Sequence, residues 1–171
     1  MKNNLLISLV IGITVAVAII GTNRLPAGDP PTAREEVRLQ VDNVPLTPEQ
    51  EVVALTLYLE ARGEGANGMY AVACVIKQRS VERGLSYDQV CLEPKQFTVW
   101  NGKTPADFND GLDQDTEVVK AAKFLASTMD VVNPEIIGNA NGFFSGDRPG
   151  WIEREWVVGT YGNHTFWKEP R

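Results

Sequence analysis

Histidine and cysteine are scarce in this chain: there is one histidine, His164, and two cysteines, Cys74 and Cys91, in 171 residues. So few soft ligands cannot furnish a structural zinc site or the two-histidine centre of a metal-dependent peptidase or amidase. No metal and no other cofactor is expected. Positive charge is also short, with 16 Lys and Arg against 22 Asp and Glu. The first 46 residues carry four of each sign, so the whole excess of six negative charges falls in residues 47–171. A domain of that balance is a poor match for a phosphate backbone, which excludes nucleic acid as a partner. Internal repeats and low-complexity tracts are absent. The long apolar run, Leu5–Ile20, would make a helix of only roughly 24 Å, short for a bilayer.

That run follows a single basic residue, Lys2, and its only A-x-A pattern, Ala16-Val17-Ala18, lies inside it rather than after it. Residues 1–22 therefore read as an uncleaved signal anchor, with a cleaved signal peptide as the alternative. The anchor makes the membrane a partner through the N-terminus, and either reading places the rest outside the cytoplasmic membrane, in the periplasm if the host is Gram-negative. Residues 23–46 carry four prolines and mixed charge, the composition of a semi-rigid linker. Residues 47–171 have the bulk of one globular domain.

Within that domain Thr47-Pro48-Glu49-Gln50 supplies an N-cap, a proline at the first helical position and a capping box. The helix so started should run to about Arg62 and stop at Gly63, with Val52, Val53, Leu55, Leu57 and Leu59 forming a broad inner face. A second helix is expected where Met69, Val72, Ala73 and Ile76 recur, stopped by Gly84. Ser86 and Gln89 form a capping box for a short third helix, and residues 115–130 form a fourth amphipathic one. The C-terminus, WVVGTYGNHTFWK, reads as a β-hairpin or small sheet turning at Gly162-Asn163. The fold class expected is α+β, mainly helical.

The chemistry on offer centres on LYLEARGEG, residues 57–65, which puts Glu60 and Glu64 at a helix's C-terminal end. Partial desolvation and the negative end of the helix dipole both disfavour a charged carboxylate there. A carboxylic acid that keeps its proton can give it to a leaving oxygen, the task of a glycosidase general acid. If the helix continued past Gly63, the two Cβ atoms would lie about 5–6 Å apart, which admits a two-carboxylate mechanism without demanding it. Solvated surface carboxylates flanking Arg62 are the bland reading.

The stretches YLEARGEG, NGMYAVACVIKQRS, PKQFTVWNG and GTYGNHTFW, in that order, resemble the cell wall hydrolase family typified by the spore-cortex-lytic enzyme SleB. The resemblance implies a lysozyme-like fold and cleavage of peptidoglycan glycan strands between N-acetylmuramic acid and N-acetylglucosamine. It also implies lytic transglycosylase action, in which one glutamate protonates the glycosidic oxygen and then takes the proton of the muramic acid 6-hydroxyl. Glu60 falls on the family's catalytic glutamate. Glu64 closes the same motif as a residue that binds or orients. Gln96 and Phe97 match a Gln-Phe pair, Trp100 offers an aromatic face to a sugar ring, and Phe143, Tyr161 and His164 complete the expected substrate contacts. Core packing is an equal reading for Phe97, and a locally bonded turn residue for His164. Two departures are visible: Gln78-Arg79 stands where the family usually has Asn-Arg, and Gly142-Phe143-Phe144-Ser145 replaces a Thr-His-Tyr type segment.

Other classes remain open on the sequence: a hydrolytic, endolysin-like muramidase, a cysteine peptidase with Cys91 as nucleophile and His164 as base, and a wall-binding module without catalysis. Cys74 and Cys91 also admit burial or a disulfide. The expected setting is the cell envelope.

Overall fold

The computed structural model describes residues 45–108 and 111–170. The expected anchor and nearly all of the expected linker lie outside the described residues. Among those described, no helix is long and apolar enough to cross a membrane.

Helix α1, Pro48–Ala61, starts as its sequence dictates. Gln50 N donates to Thr47 Oγ1 at 3.3 Å while Thr47 N donates to Gln50 Oε1 at 3.0 Å, closing the capping box. Residues Val52–Tyr58 are all buried, so α1 is covered around most of its girth rather than along one stripe. It is the central element, packed against α2, Gly65–Arg83, the short α3, Tyr87–Leu92, and α4, Glu117–Ser127. A buried threonine on such a helix needs a partner for its hydroxyl, and Thr56 Oγ1 donates to Val52 O at 2.7 Å.

The α1–α2 junction differs from expectation. Helix α1 ends at Ala61, a single 3₁₀ turn spans Arg62–Glu64, and the residue with left-handed backbone is Gly65, φ 66°, rather than Gly63. Helix α2 thus begins several residues earlier than its apolar periodicity announces. Gly68 lies inside it because a Cβ there would overlap the Glu64 side chain. The α2 stop is as expected: Gly84, φ 66°, donates its N–H to Ser80 O. Ser86 and Gln89 cap α3, and Thr116 caps α4, which turns Val119, Ala122, Leu125 and Ala126 inward.

The C-terminal hairpin is present but belongs to a larger sheet. Strands β2, Val157–Tyr161, and β3, His164–Trp167, turn at Gly162-Asn163; β1, Gly142–Ser145, pairs antiparallel with the other side of β3. Ser145 and Tyr161 thus flank His164. The fold is α+β and mainly helical. Phe166, on the central strand and fully buried, joins the sheet to the helical core.

Candidate active site

Glu60 occupies the last turn of α1, half-buried. Its Oε1 accepts from Thr98 Oγ1 and from Val99 N, both at 3.3 Å. Thr98–Trp100 is a 3₁₀ turn, and the N–H groups that open such a turn have no partner within it. One of them finds Glu60. Among the described residues Oε2 accepts no hydrogen bond, so one oxygen of the carboxyl is held and the other is not.

The segment that meets Glu60 is pinned at both ends. Trp100 Nε1 donates to Thr56 Oγ1 on α1 at 2.9 Å, and its ring packs edge-on against Phe108 at 5.4 Å. At the other end Phe97 is buried beneath the Arg79 guanidinium, 5.2 Å from its ring centre. Arg79 Nη1 donates to Gln96 O at 3.5 Å and Nε to Asn141 O at 2.7 Å, so one side chain of α2 ties this segment to the residue before β1. Burial, with Arg83 nearby, pulls the Arg79 guanidinium down to about 10, still protonated at neutral pH.

Glu64 has a different place. Its Oε2 accepts from Asn163 N and its Oε1 from Asn163 Nδ2, both at 2.8 Å. This two-point clasp ties the α1–α2 junction to the β2–β3 turn. Gly162, φ 60°, is required there twice over, since a Cβ would also overlap Glu64 Oε2. The Asn163 backbone N–H foremost, aided by the Asn163 side chain and by His164, holds the Glu64 carboxyl below its ordinary value of 4.5. A carboxyl lowered on folding adds stability that is present above 4.5 and lost as pH falls through the lower folded value. On the acid limb of the stability curve, the part that Glu64 contributes should therefore fade as pH falls below about 4.5. Glu64→Gln should flatten that limb, as read by thermal midpoint against pH.

The remaining expected contacts divide. Gln96 and Phe143 line an open cleft of about 550 Å³ whose other walls include Arg79, Asn141, Trp151 and Trp167. Glu60 does not line it. Trp100 offers no sugar platform: it is 7% exposed and its indole N–H is spent on Thr56, because a buried indole needs an internal acceptor. Phe97, 2% exposed, is core. Tyr161 is half-buried and donates its hydroxyl to Ile136 O at 2.9 Å. His164 is buried 4.9 Å from the Phe143 ring, with Nδ1 lacking a partner, so it supports Phe143 from below rather than meeting solvent.

Both cysteines are free and fully buried, so the disulfide does not form. Burial pushes each thiol up to about 12. A nucleophilic cysteine needs the thiolate and an open approach, and Cys91 has neither. Cys91→Ala should leave lysis of cell walls within about twofold of wild type at a temperature where the variant is folded, a core truncation costing stability instead. Among the described residues no cluster of three or more His, Cys, Asp or Glu is arranged to hold a metal.

The residues that sequence reasoning missed are Thr98, Val99, Arg79 and Asn163. Arg79 carried a visible signal, a charge at i+3 from Ile76 on the buried stripe of α2. Val99 acts through its backbone N–H, for which side-chain patterns have no signal.

Residues 63–167 match the family model described as Cell Wall Hydrolase. The matched span includes Glu64 and the hairpin through Trp167, and begins three residues after Glu60. No curated protein and no solved structure matches the chain.

Proposed function

The chain belongs to the cell wall hydrolase family, an enzyme acting on peptidoglycan, and on that footing we propose that it cuts the glycan strand as a lytic transglycosylase with Glu60 as sole acid and base. The observation that carries this reading is the unequal state of the two carboxyls. Glu60 is held by one oxygen and keeps the other unengaged, whereas both oxygens of Glu64 are committed to Asn163. A two-carboxylate mechanism requires a second carboxylate available to a nucleophilic water or to the anomeric carbon. Glu64 is unsuited to either role.

In the proposed cycle the protonated Glu60 gives its proton to the glycosidic oxygen as the bond from the muramic acid C1 to that oxygen breaks. The muramic acid 6-hydroxyl then forms the new bond to C1, and its proton returns to Glu60. No water is consumed, the product carries a 1,6-anhydro ring, and the acid is regenerated. Hydrogen bonds from Thr98 and Val99 fix the carboxyl's orientation beforehand, the part of catalysis that a rigid scaffold supplies. The apolar run at residues 5–20 would hold the domain at the outer face of the cytoplasmic membrane, within reach of the wall.

Mass spectrometry of the fragments released from purified peptidoglycan tests this reading. Ends bearing 1,6-anhydromuramic acid are expected. Reducing muramic acid ends would mean hydrolysis by an endolysin-like muramidase, cleaved stem peptides would refute glycan cutting altogether, and binding without release would mark a wall-binding module.

A further inference from the structure

The cleft beside the Gln96–Val99 segment is built around tryptophan. Gly142 lacks a Cβ, and one there would overlap the Trp167 indole, so that ring lies across β1. Against it Trp151 packs edge-on at 5.3 Å and 87°, and Trp156 stacks at 6.3 Å and 29°. Trp151 is nevertheless 65% exposed, although the next residue, Ile152, is buried and anchors it. A large indole face left in water but fixed in place is costly unless a ligand covers it.

Around that face stand planar hydrogen-bonding groups. Gln96 Oε1 accepts from Arg83 at 3.1 Å, which leaves Nε2 as a donor; Glu169 and Lys95 also line the cleft. Lys95 has a left-handed backbone, φ 65°, unusual for a residue with a Cβ. The donors of the two cleft arginines are largely engaged: Arg79 on the Asn141 and Gln96 carbonyls, Arg83 on Glu93 and Gln96. An acidic peptide would also meet the carboxylates of Glu82 and Glu169 in the lining. A pyranose has the matching chemistry, with an apolar C–H face for an indole and a rim of hydroxyl and N-acetyl groups for amides and charged side chains.

We propose that this cleft is a saccharide-binding subsite, with Trp151 as its stacking platform, which holds N-acetylhexosamine units of the glycan strand away from the bond being cut. Gln96 lines it and Thr98 touches Glu60, and two residues of chain span at most about 7 Å, which sets the cleft beside the segment that holds the proposed acid. The choice of ligand rests on the reading of the chain as a glycan-cutting enzyme; the existence of the subsite does not depend on Glu60's chemistry.

The test is a titration of the full chain carrying Glu60→Gln with chitohexaose, a β-1,4-linked N-acetylglucosamine oligomer without peptide, followed by calorimetry. Saturable binding is expected, with affinity at least about tenfold lower when Trp151→Ala is added. Trp151→Phe, which keeps a flat ring, should retain most of the affinity. At 65% exposure Trp151 loses little beyond its edge contact with Trp167 in Trp151→Ala, so both variants should be folded at the titration temperature, checked by thermal midpoint, and a loss of binding then reports the site and not the fold. Equal affinity in Trp151→Ala overturns the proposal, as does binding of a free stem peptide with no response to chitohexaose. Because no bond is cut in the titration, the subsite and the acid role of Glu60 can fail independently.

Discussion

Replacing Arg79 with leucine should lower stability by about 3 kcal/mol and take most of the wall-degrading activity with it. Arg79 is 7% exposed and donates to two backbone carbonyls, Asn141 O and Gln96 O, from different parts of the chain. Leucine fills a similar volume but leaves both acceptors without this donor in a place water reaches poorly, and unmade buried hydrogen bonds are where large destabilisations arise. The ring of Phe97 also loses the guanidinium above it. The loss of activity follows from geometry: the Gln96–Val99 segment that Arg79 fixes is the one that holds Glu60 through Thr98 and Val99. Lysine keeps the charge but lacks the fork that reaches two carbonyls, so Arg79→Lys should fall between. Thermal unfolding and lysis of purified sacculi, measured on the same preparations, check both parts. An unchanged midpoint in Arg79→Leu would show that the tie between α2 and this segment is dispensable.

The parts of the molecule legible in the sequence are those settled by local chemistry. Thr47 with Gln50, and Ser86 with Gln89, announced their helix starts because a capping box is complete within four residues. Gly84 and the Gly162-Asn163 turn were legible for the same reason. Strand β1 was not. Its four residues, Gly142–Ser145, are too few for alternation to register, and they form a strand because β3 offers an edge 20-odd residues on. The glycine of the α1–α2 junction was misplaced because Gly63 and Gly65 both suit a stop, and what selects Gly65 is the clasp between Glu64 and Asn163, 99 residues apart. At the site, the motif and its place on a helix end single out Glu60 as the candidate acid, whereas neither tells that Trp100 is buried. An aromatic near a motif reads the same whether its face is open or its N–H is spent on Thr56.

Glu60→Gln should reduce glycan cleavage by about 10²–10⁴-fold without loss of fold. Glutamine is nearly isosteric, and its amide oxygen can still accept from Thr98 Oγ1 and Val99 N, so the segment keeps its anchor. What it cannot do is give and retake a proton, and if one carboxyl performs both transfers, both steps suffer from one change. Glu64→Gln differs in kind. It perturbs the clasp on Asn163 and hence acid stability, and at neutral pH, below its unfolding temperature, it should retain far more activity than Glu60→Gln. The decisive measurement is the initial rate at which purified peptidoglycan releases glycan fragments under the wild type, Glu60→Gln and Glu64→Gln, with each protein's folding verified by its thermal midpoint. A rate at least about a hundredfold down in Glu60→Gln alone is the expected result. A folded Glu60→Gln chain that cuts at the wild-type rate would contradict the assignment of Glu60 as the acid.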